Sequence, residues 1–276
     1  MTRTTRLLLM LVLFTVAAPA ARAQTIWTPL DHRMTARVEF WHAHFKDSNG
    51  AGSPSSSSGP LFFSLAFPID QKLAVNFELP WARASIDDPF SGTNGSESTV
   101  GNPYFGVQVG ALNKPTSFVG EVGLRLAAAS ESKFGAILVG IVSEPERLEA
   151  FIPKTNTLSA AGNIVMRRPT SSARIRVGVS ELLASKDNGG NNTLIDYGAQ
   201  ASTDVQLFRF GGALTGRYVA SGSGTFSERS NHFATGMASV ALGGFRPGVS
   251  VRLPFDSDIR NDVPWMLGLS LEYEFK

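Results

Sequence analysis

Apolar and polar residues alternate in segments of roughly ten residues along most of the chain. In the last segment, "WMLGLSLEYEF", Trp265 and every second residue up to Phe275 are apolar or aromatic, while the other parity is largely polar. Because successive side chains of a strand point to opposite faces, each such segment has one apolar and one polar wall. The pattern predicts strands at approximately 34–45, 60–69, 71–81, 101–112, 117–128, 157–168, 172–183, 193–204, 205–219, 230–242, 245–255 and 264–275.

The connections between these strands alternate between long and short. Long, Gly- and Ser-rich stretches such as 46–59 and 82–100 are followed by short turns such as "PID" and "LNKP". Outer-membrane barrels place short turns in the periplasm and long loops outside, and their sheet must close because a bilayer leaves no strand edge unpaired. The sequence therefore predicts an all-β, closed antiparallel transmembrane β-barrel of about twelve strands. A soluble exported sandwich or lipocalin-like barrel is the alternative, but it leaves the apolar outer wall unexplained.

One stretch, residues 130–153, does not alternate. Its apolar residues recur at helical spacing, which predicts a helical excursion in the third external loop. Such a helix must cover its apolar stripe, either in the barrel mouth or at the membrane surface. Two glycines and several β-branched residues favour two further strands instead, and fourteen strands in all. The residues expected to constrict the mouth are Phe134, Ile137, Leu138 and Ile141.

The N-terminus has the layout of a secretory signal peptide. Arg3 and Arg6 precede the apolar run 7–16, and Ala21-Arg22-Ala23 forms a small-x-small cleavage site. We expect residues 1–23 to be removed after Ala23 and residues 24–276 to form the barrel. Without the leader, 25 basic residues become 22 against 23 acidic ones, a formal charge of −1 that removes any case for nucleic-acid binding. The chain has no cysteine, so it has no disulfide to form.

Charged residues fall on the parity predicted to face the lumen. Acids concentrate on the first, third, fifth and last predicted strands, and arginines on the seventh, ninth and eleventh, so the two signs would lie on opposite walls. Such a separation would orient a dipolar or anionic solute. The alternative is that these residues only brace the wall as salt bridges. The predicted pore-lining residues are Arg125, Arg167, Arg174, Arg176, Arg209, Arg217, Arg252, Glu39, Glu78 and Glu121.

Two histidine patterns resemble parts of a metal site and of a hydrolase site, but the sequence lacks the further residues that either site needs. His42 and His44 share one strand face at a spacing that can chelate a metal, but no third ligand is identifiable. His232 lies in "SNHFATG", where a barrel phospholipase would have its nucleophile two residues later, and that position is Ala234. We therefore expect no enzyme activity, no cofactor and no metal, with lipid hydrolysis as the last-ranked alternative.

The segment 60–126 resembles the outer-membrane barrel family named for the MetA pathway of phenol degradation. The similarity is in Leu79-Pro80-Trp81, which ends one strand, and Gly101-Asn102-Pro103, which begins the next. The resemblance implies an outer-membrane transporter, in some members linked to catabolism of aromatic compounds.

The function predicted from these observations is passive passage of small solutes, with anionic and aromatic ones as candidates. A non-conducting barrel acting as a binding or surface protein is the alternative. The expected partners are outer-membrane lipid, a small solute and the barrel-assembly machinery, which would recognise the alternating C-terminal strand.

Overall fold

The computed structural model describes residues 33–46, 57–87, 94–184 and 191–275, so the predicted signal peptide lies outside the described residues. The strands are β1 (Thr35–His44), β2 (Gly59–Pro68), β3 (Leu73–Asp87), β4 (Asn94–Val100), β5 (Tyr104–Gly110), β6 (Thr116–Arg125), β7 (Thr155–Arg168), β8 (Ser171–Ala184), β9 (Asn192–Val205), β10 (Phe208–Val219), β11 (Ser230–Val240), β12 (Phe245–Pro254) and β13 (Trp265–Glu274). The helices are α1 (Phe134–Ser143), α2 (Ser257–Asp262) and two short 3-10 helices, Pro145–Ala150 and Ser227–Arg229.

Twelve of the strands close into one antiparallel barrel. Each strand pairs with its neighbours in sequence, and β1 closes the sheet by pairing with β13 from Thr35↔Glu274 to His44↔Trp265. Strand β4 is not a thirteenth member of the ring, since it pairs only with the outer half of β3. The prediction of a twelve-stranded barrel with a helical excursion is confirmed, and the alternative of fourteen strands is not what the structure shows.

The stretch 82–100 differs from the prediction of one long loop. Strand β3 continues to Asp87, and β4 pairs with it from Trp81↔Val100 to Asp87↔Asn94. Small and polar residues dominate this hairpin, so its alternation carries little hydrophobic signal. Gly101-Asn102-Pro103 separates β4 from β5, and there the Gly101 N–H donates to the Pro80 carbonyl at 2.9 Å.

The wall has an apolar outside and a polar or close-packed inside. On β6, Phe118 and Val122 are 67% and 56% exposed, whereas the alternate residues Val119 and Glu121 are 0% and 5% exposed. The C-terminal strand behaves in the same way, with Leu269 facing out and Met266 buried. The period-two pattern therefore sorts residues between lipid and lumen, as an outer-membrane barrel requires.

Aromatic side chains lie at both ends of β13, as expected for interfacial girdles. At the external end Trp265 stacks on His44 with ring centroids 4.6 Å apart. At the other end Tyr273 packs edge-on against Phe275 at 4.8 Å. Among the described residues, neither α-helix is long and apolar enough to cross a membrane.

Candidate functional site

The connection between β6 and β7 folds into the external mouth of the barrel. We call residues 134–152, which contain α1 and the first 3-10 helix, the plug. Its buried residues Ala136, Ile137, Ala150 and Phe151 form one apolar cluster with inward-facing wall residues. The wall contributes Trp41, Ala43, Phe62, Ala82, Phe233 and Met266 to this cluster. The Ala43 N–H also donates to the Ser143 hydroxyl at 3.2 Å, so α1 contacts the wall directly.

The plug helix does not bury the stripe that its spacing predicts. Ile137 lies in the apolar cluster and Ile141 packs against it, but Phe134 and Leu138 are 70% and 47% exposed. The face with small residues is buried instead, because it allows close approach. A Cβ on Gly140 would lie 2.7 Å from the Phe151 ring. All four residues predicted to constrict the mouth lie in the plug helix, and their effect on passage stays a prediction.

One side of the plug presents an arginine to acidic wall residues. The Arg147 guanidinium contacts Glu78 at 2.7 Å and Glu39 at 3.1 Å, from strands β3 and β1. It also lies over the Phe62 ring, 3.7 Å from the centroid. The two wall acids have further partners on the wall itself: Arg37 binds Glu39 at 2.6 Å, and Arg125 binds Glu78 at 2.7 Å.

The plug also presents glutamates to arginines of the wall. Arg252 of β12, whose side chain is 1% exposed, binds Glu144 at 3.0 Å and Glu146 at 2.8 Å. Its guanidinium also lies 4.2 Å from the centroid of Trp41. Arg217 of β10 binds Glu149 at 2.9 Å and donates to the backbone carbonyl of Glu146 at 2.8 Å. The plug is therefore electrostatically complementary to the wall in both sets of contacts.

A single buried side chain, Asn102, ties both ends of the plug connection to the barrel. Its amide donates to the carbonyls of Glu149 and Ile152 at 2.9 and 2.8 Å. Its carbonyl oxygen accepts from the N–H groups of Ala128 and Ala129 at 2.8 and 3.0 Å. The residue before it must be glycine, since a Cβ on Gly101 would lie 2.4 Å from the Ala150 carbonyl oxygen. The sequence shows the Gly-Asn-Pro motif but gives no sign of this role.

A polar cavity of about 100 Å³ lies beneath the plug. The plug forms its roof with Arg147 and Glu149, and its walls include Glu121, Arg176 and Tyr104. Glu121 accepts from Arg176 at 2.9 Å and lies 3.9 Å from Arg174. Five serine and threonine residues also line the cavity: Ser64, Thr157, Ser159, Ser180 and Thr215.

All ten predicted pore-lining residues lie on the inward parity, eight of them buried and Arg167 and Arg176 half-buried. Their charges are not held apart on opposite walls as predicted, because pairs such as Arg176–Glu121 and Arg125–Glu78 each join strands that lie two positions apart in the wall. Arg209 likewise binds Asp204 at 2.5 Å near the periplasmic end. The sequence could not show that the plug would pair with the remaining charges. That these residues line a conducting path stays a prediction.

His42, His44 and His232, the histidines that the structure describes, lie away from the lumen. His42 contacts the Ser58 carbonyl at 2.9 Å, and no group of three potential metal ligands occurs among the described residues. His232 lies on the outer side, with Tyr197 hydroxyl at 2.8 Å and Asp256 carboxylate at 3.4 Å. Thr235 faces the lumen and accepts a hydrogen bond from Arg252, so it cannot serve His232 as a nucleophile.

A closed barrel with an apolar outside, a charged inside and an inward-folded loop defines a transmembrane β-barrel of the outer-membrane type. No protein-family model and no curated protein sequence matches the chain. Solved channels share its fold. The COG4313 outer membrane channel from Pseudomonas putida F1 aligns over 92% of this chain and 100% of its own, at 12% identity and a TM-score of 0.60.

Two porins have the same architecture. The NanC porin aligns over 88% of this chain and 99% of its own, at 6% identity and a TM-score of 0.53. The KdgM porin aligns over 87% and 99%, at 10% identity and a TM-score of 0.51. At these identities the similarity establishes the fold, which is that of a porin-like barrel of the outer membrane.

Proposed function

We propose that this protein is a channel for passive passage of small solutes, with a preference for anions, and that the plug narrows its external mouth. The observation that carries the proposal is the buried charge inside a closed barrel. Among the described residues, the strands bury seven arginines and four glutamates. A barrel that served only as a surface scaffold could fill its interior with apolar side chains, whereas a polar lumen suits a path for water and ions.

Size and charge limit the solute. Twelve strands leave a narrow lumen once side chains fill it, and the plug reduces it further, so the solutes must be small. The excess of buried arginines on the wall favours anions, and aromatic anions remain within the proposal. We also propose membership of the MetA-pathway barrel family, on the sequence motifs that the chain shares with it. Asn102 of the Gly-Asn-Pro motif holds the ends of the plug connection, which is a structural reason for an asparagine at this position.

Planar-bilayer recording of the purified protein tests the channel. We expect step conductance with anion preference, and replacing Arg174, Arg176 and Arg209 by Ala should reduce that preference. Unchanged ion selectivity in this variant would refute the proposal that these three arginines line the conducting path. The matched control is Arg168→Ala, an exposed residue at the periplasmic end of β7.

The plug supports a second candidate, a non-conducting barrel that acts through its external surface. Its apolar cluster and ion pairs fill the mouth. Absence of step conductance from both the intact protein and a variant lacking residues 134–150 would favour this candidate over the channel.

The remaining partners are proposed from the wall and the C-terminal strand. Outer-membrane lipid would cover exposed residues such as Leu269, and the assembly machinery would bind β13. Cleavage after Ala23 completes the proposed export route, and N-terminal sequencing of protein from the outer-membrane fraction tests it. Failure of a Leu271→Asp variant to insert, alongside normal insertion of Ser270→Asp, would support recognition of the apolar face of β13.

A further inference from the structure

We propose that the plug glutamates occupy carboxylate-binding sites of the lumen, and that a small di- or tricarboxylate opens the channel by replacing them. This inference rests on the proposed channel function and adds the solute class and the means of opening. The two sites are the guanidinium of Arg252 and the pair Arg217–Arg125.

The contacts of the plug glutamates are those that a free carboxylate would make. Glu149 lies between two arginines, 2.9 Å from Arg217 and 3.7 Å from Arg125. Arg252 uses its two terminal nitrogens for Glu144 and Glu146, at 3.0 and 2.8 Å. A guanidinium matches the planar geometry of a carboxylate, and such charge-assisted pairs are the strong ones. The wall thus provides preformed carboxylate sites in a position that a solute must pass.

The wall residues that bind the plug differ in the partners they would keep if the plug left the mouth. If Arg147 withdrew, Glu39 would keep Arg37 and Glu78 would keep Arg125. Arg252 is different, because both of its carboxylate partners in the described residues belong to the plug. Leaving a buried guanidinium without a counter-charge is costly. Withdrawal of the plug therefore requires an anion at Arg252 but no cation at Glu39 and Glu78.

This asymmetry couples opening to solute chemistry. A ligand shifts a conformational equilibrium only by its difference in affinity between the two states. A carboxylate can bind Arg252 and Arg217 when the plug has left, and it competes with Glu144, Glu146 and Glu149 when the plug is in place. A molecule with two or three carboxylates binds both arginine positions with the advantage of a high effective concentration, which a monocarboxylate lacks.

The absence of cysteine from the chain allows a reversible lock on the plug. In Ala43→Cys/Ser143→Cys, a disulfide would form where the Ala43 N–H now meets the Ser143 hydroxyl at 3.2 Å. Single-channel recording in potassium chloride would compare citrate and succinate with acetate and glycerol at matched ionic strength. For the intact protein and the reduced double-cysteine variant we expect citrate to raise open probability about tenfold, within the usual range of coupling between sites. The oxidised variant should not respond, and acetate and glycerol should have little effect.

Neutralising the plug carboxylates should mimic the solute. Glu144→Gln/Glu149→Gln should open without citrate and lose most of the response, while Glu131→Gln, an exposed glutamate on the connection to the plug, should behave as the intact protein. If citrate leaves open probability unchanged in protein that conducts, or blocks locked and unlocked protein alike, displacement of the plug is refuted while the channel function stands. If neither the intact protein nor the Gln variant conducts under any condition, the channel function itself is refuted.

Discussion

The barrel wall and the plug are stabilised in different ways. Each wall strand is paired along its length with two neighbours, as in the fourteen consecutive residue pairs of β7 with β8 from Thr155↔Ala184 to Arg168↔Ser171. The plug has no strand partner and depends on side chains such as Asn102, Arg217 and Arg252, from three distant parts of the chain. Damage to the wall is thus shared over many backbone bonds, whereas single side chains decide the position of the plug.

Breaking the contact at Arg252 should have the largest effect on the plug. Arg252→Met removes the guanidinium that Glu144 binds at 3.0 Å and leaves it only Arg147 at 3.5 Å; loss of one partner of a buried pair costs about 3–5 kcal/mol. We expect the plug to leave the mouth, with higher conductance and faster proteolysis within 134–152 in detergent. Arg246→Met is the matched control, because Arg246 is buried on the same strand and donates to the Ser239 hydroxyl of the wall at 3.2 Å. Equal proteolysis of the two variants would contradict the contrast between wall and plug.

Replacing Asn102 should release the plug at its ends. Asn102→Leu leaves four backbone groups of the plug connection without their hydrogen-bond partner. Each buried unpaired group costs about 1–3 kcal/mol, and water from the lumen that hydrogen-bonds to these groups reduces the total. We expect about 3 kcal/mol of local destabilisation, measured as faster hydrogen exchange at 128–129 and 149–152. Asn163→Leu, a buried wall asparagine, should leave exchange in the plug unchanged. Protection of the plug equal to that of the intact protein would contradict the role of Asn102.

The wall should respond to a charge only on one face. Val249 faces out at 41% exposure, and the next residue, Ser250, faces the lumen. A lysine that faces lipid at the depth of the bilayer centre costs about 2–4 kcal/mol. Val249→Lys should therefore lower the free energy of unfolding in lipid by about 2 kcal/mol. Ser250→Lys should change it by much less. A reversed order would mean that the two faces are assigned wrongly.

Low pH should weaken the binding of the plug to the wall, with the smallest effect of the changes considered. Burial alone would raise the pKa of Glu149, but Arg217 and Arg125 outweigh it and hold the pKa below the ordinary range. A carboxyl whose pKa is lowered in the folded state stabilises that state above its unfolded pKa, and the contribution disappears as pH falls through the folded pKa. Open probability should therefore be constant at neutral pH and rise below the ordinary glutamate range. The rise should be absent in Glu149→Gln.

The sequence predicted almost all of the strands of the wall. For the plug it predicted only that a helical segment exists, not how that segment packs. Period-two alternation located all twelve barrel strands. The hairpin of β3 and β4 was missed because its serines, glycines and alanines contrast little in hydrophobicity. The plug helix is apolar on every side, so its spacing showed a helix and not which face would be buried.

The alternation by itself determined that this chain is a barrel with lipid outside and charge inside, because strand geometry turns sequence parity directly into a face. Only the tertiary structure decided what the lumen charges meet. Glu144 and Arg252 are 108 residues apart, and Asn102 binds residues 26 to 50 positions later. Such contacts depend on how a loop folds back into the space that the strands enclose, and no local periodicity encodes that path.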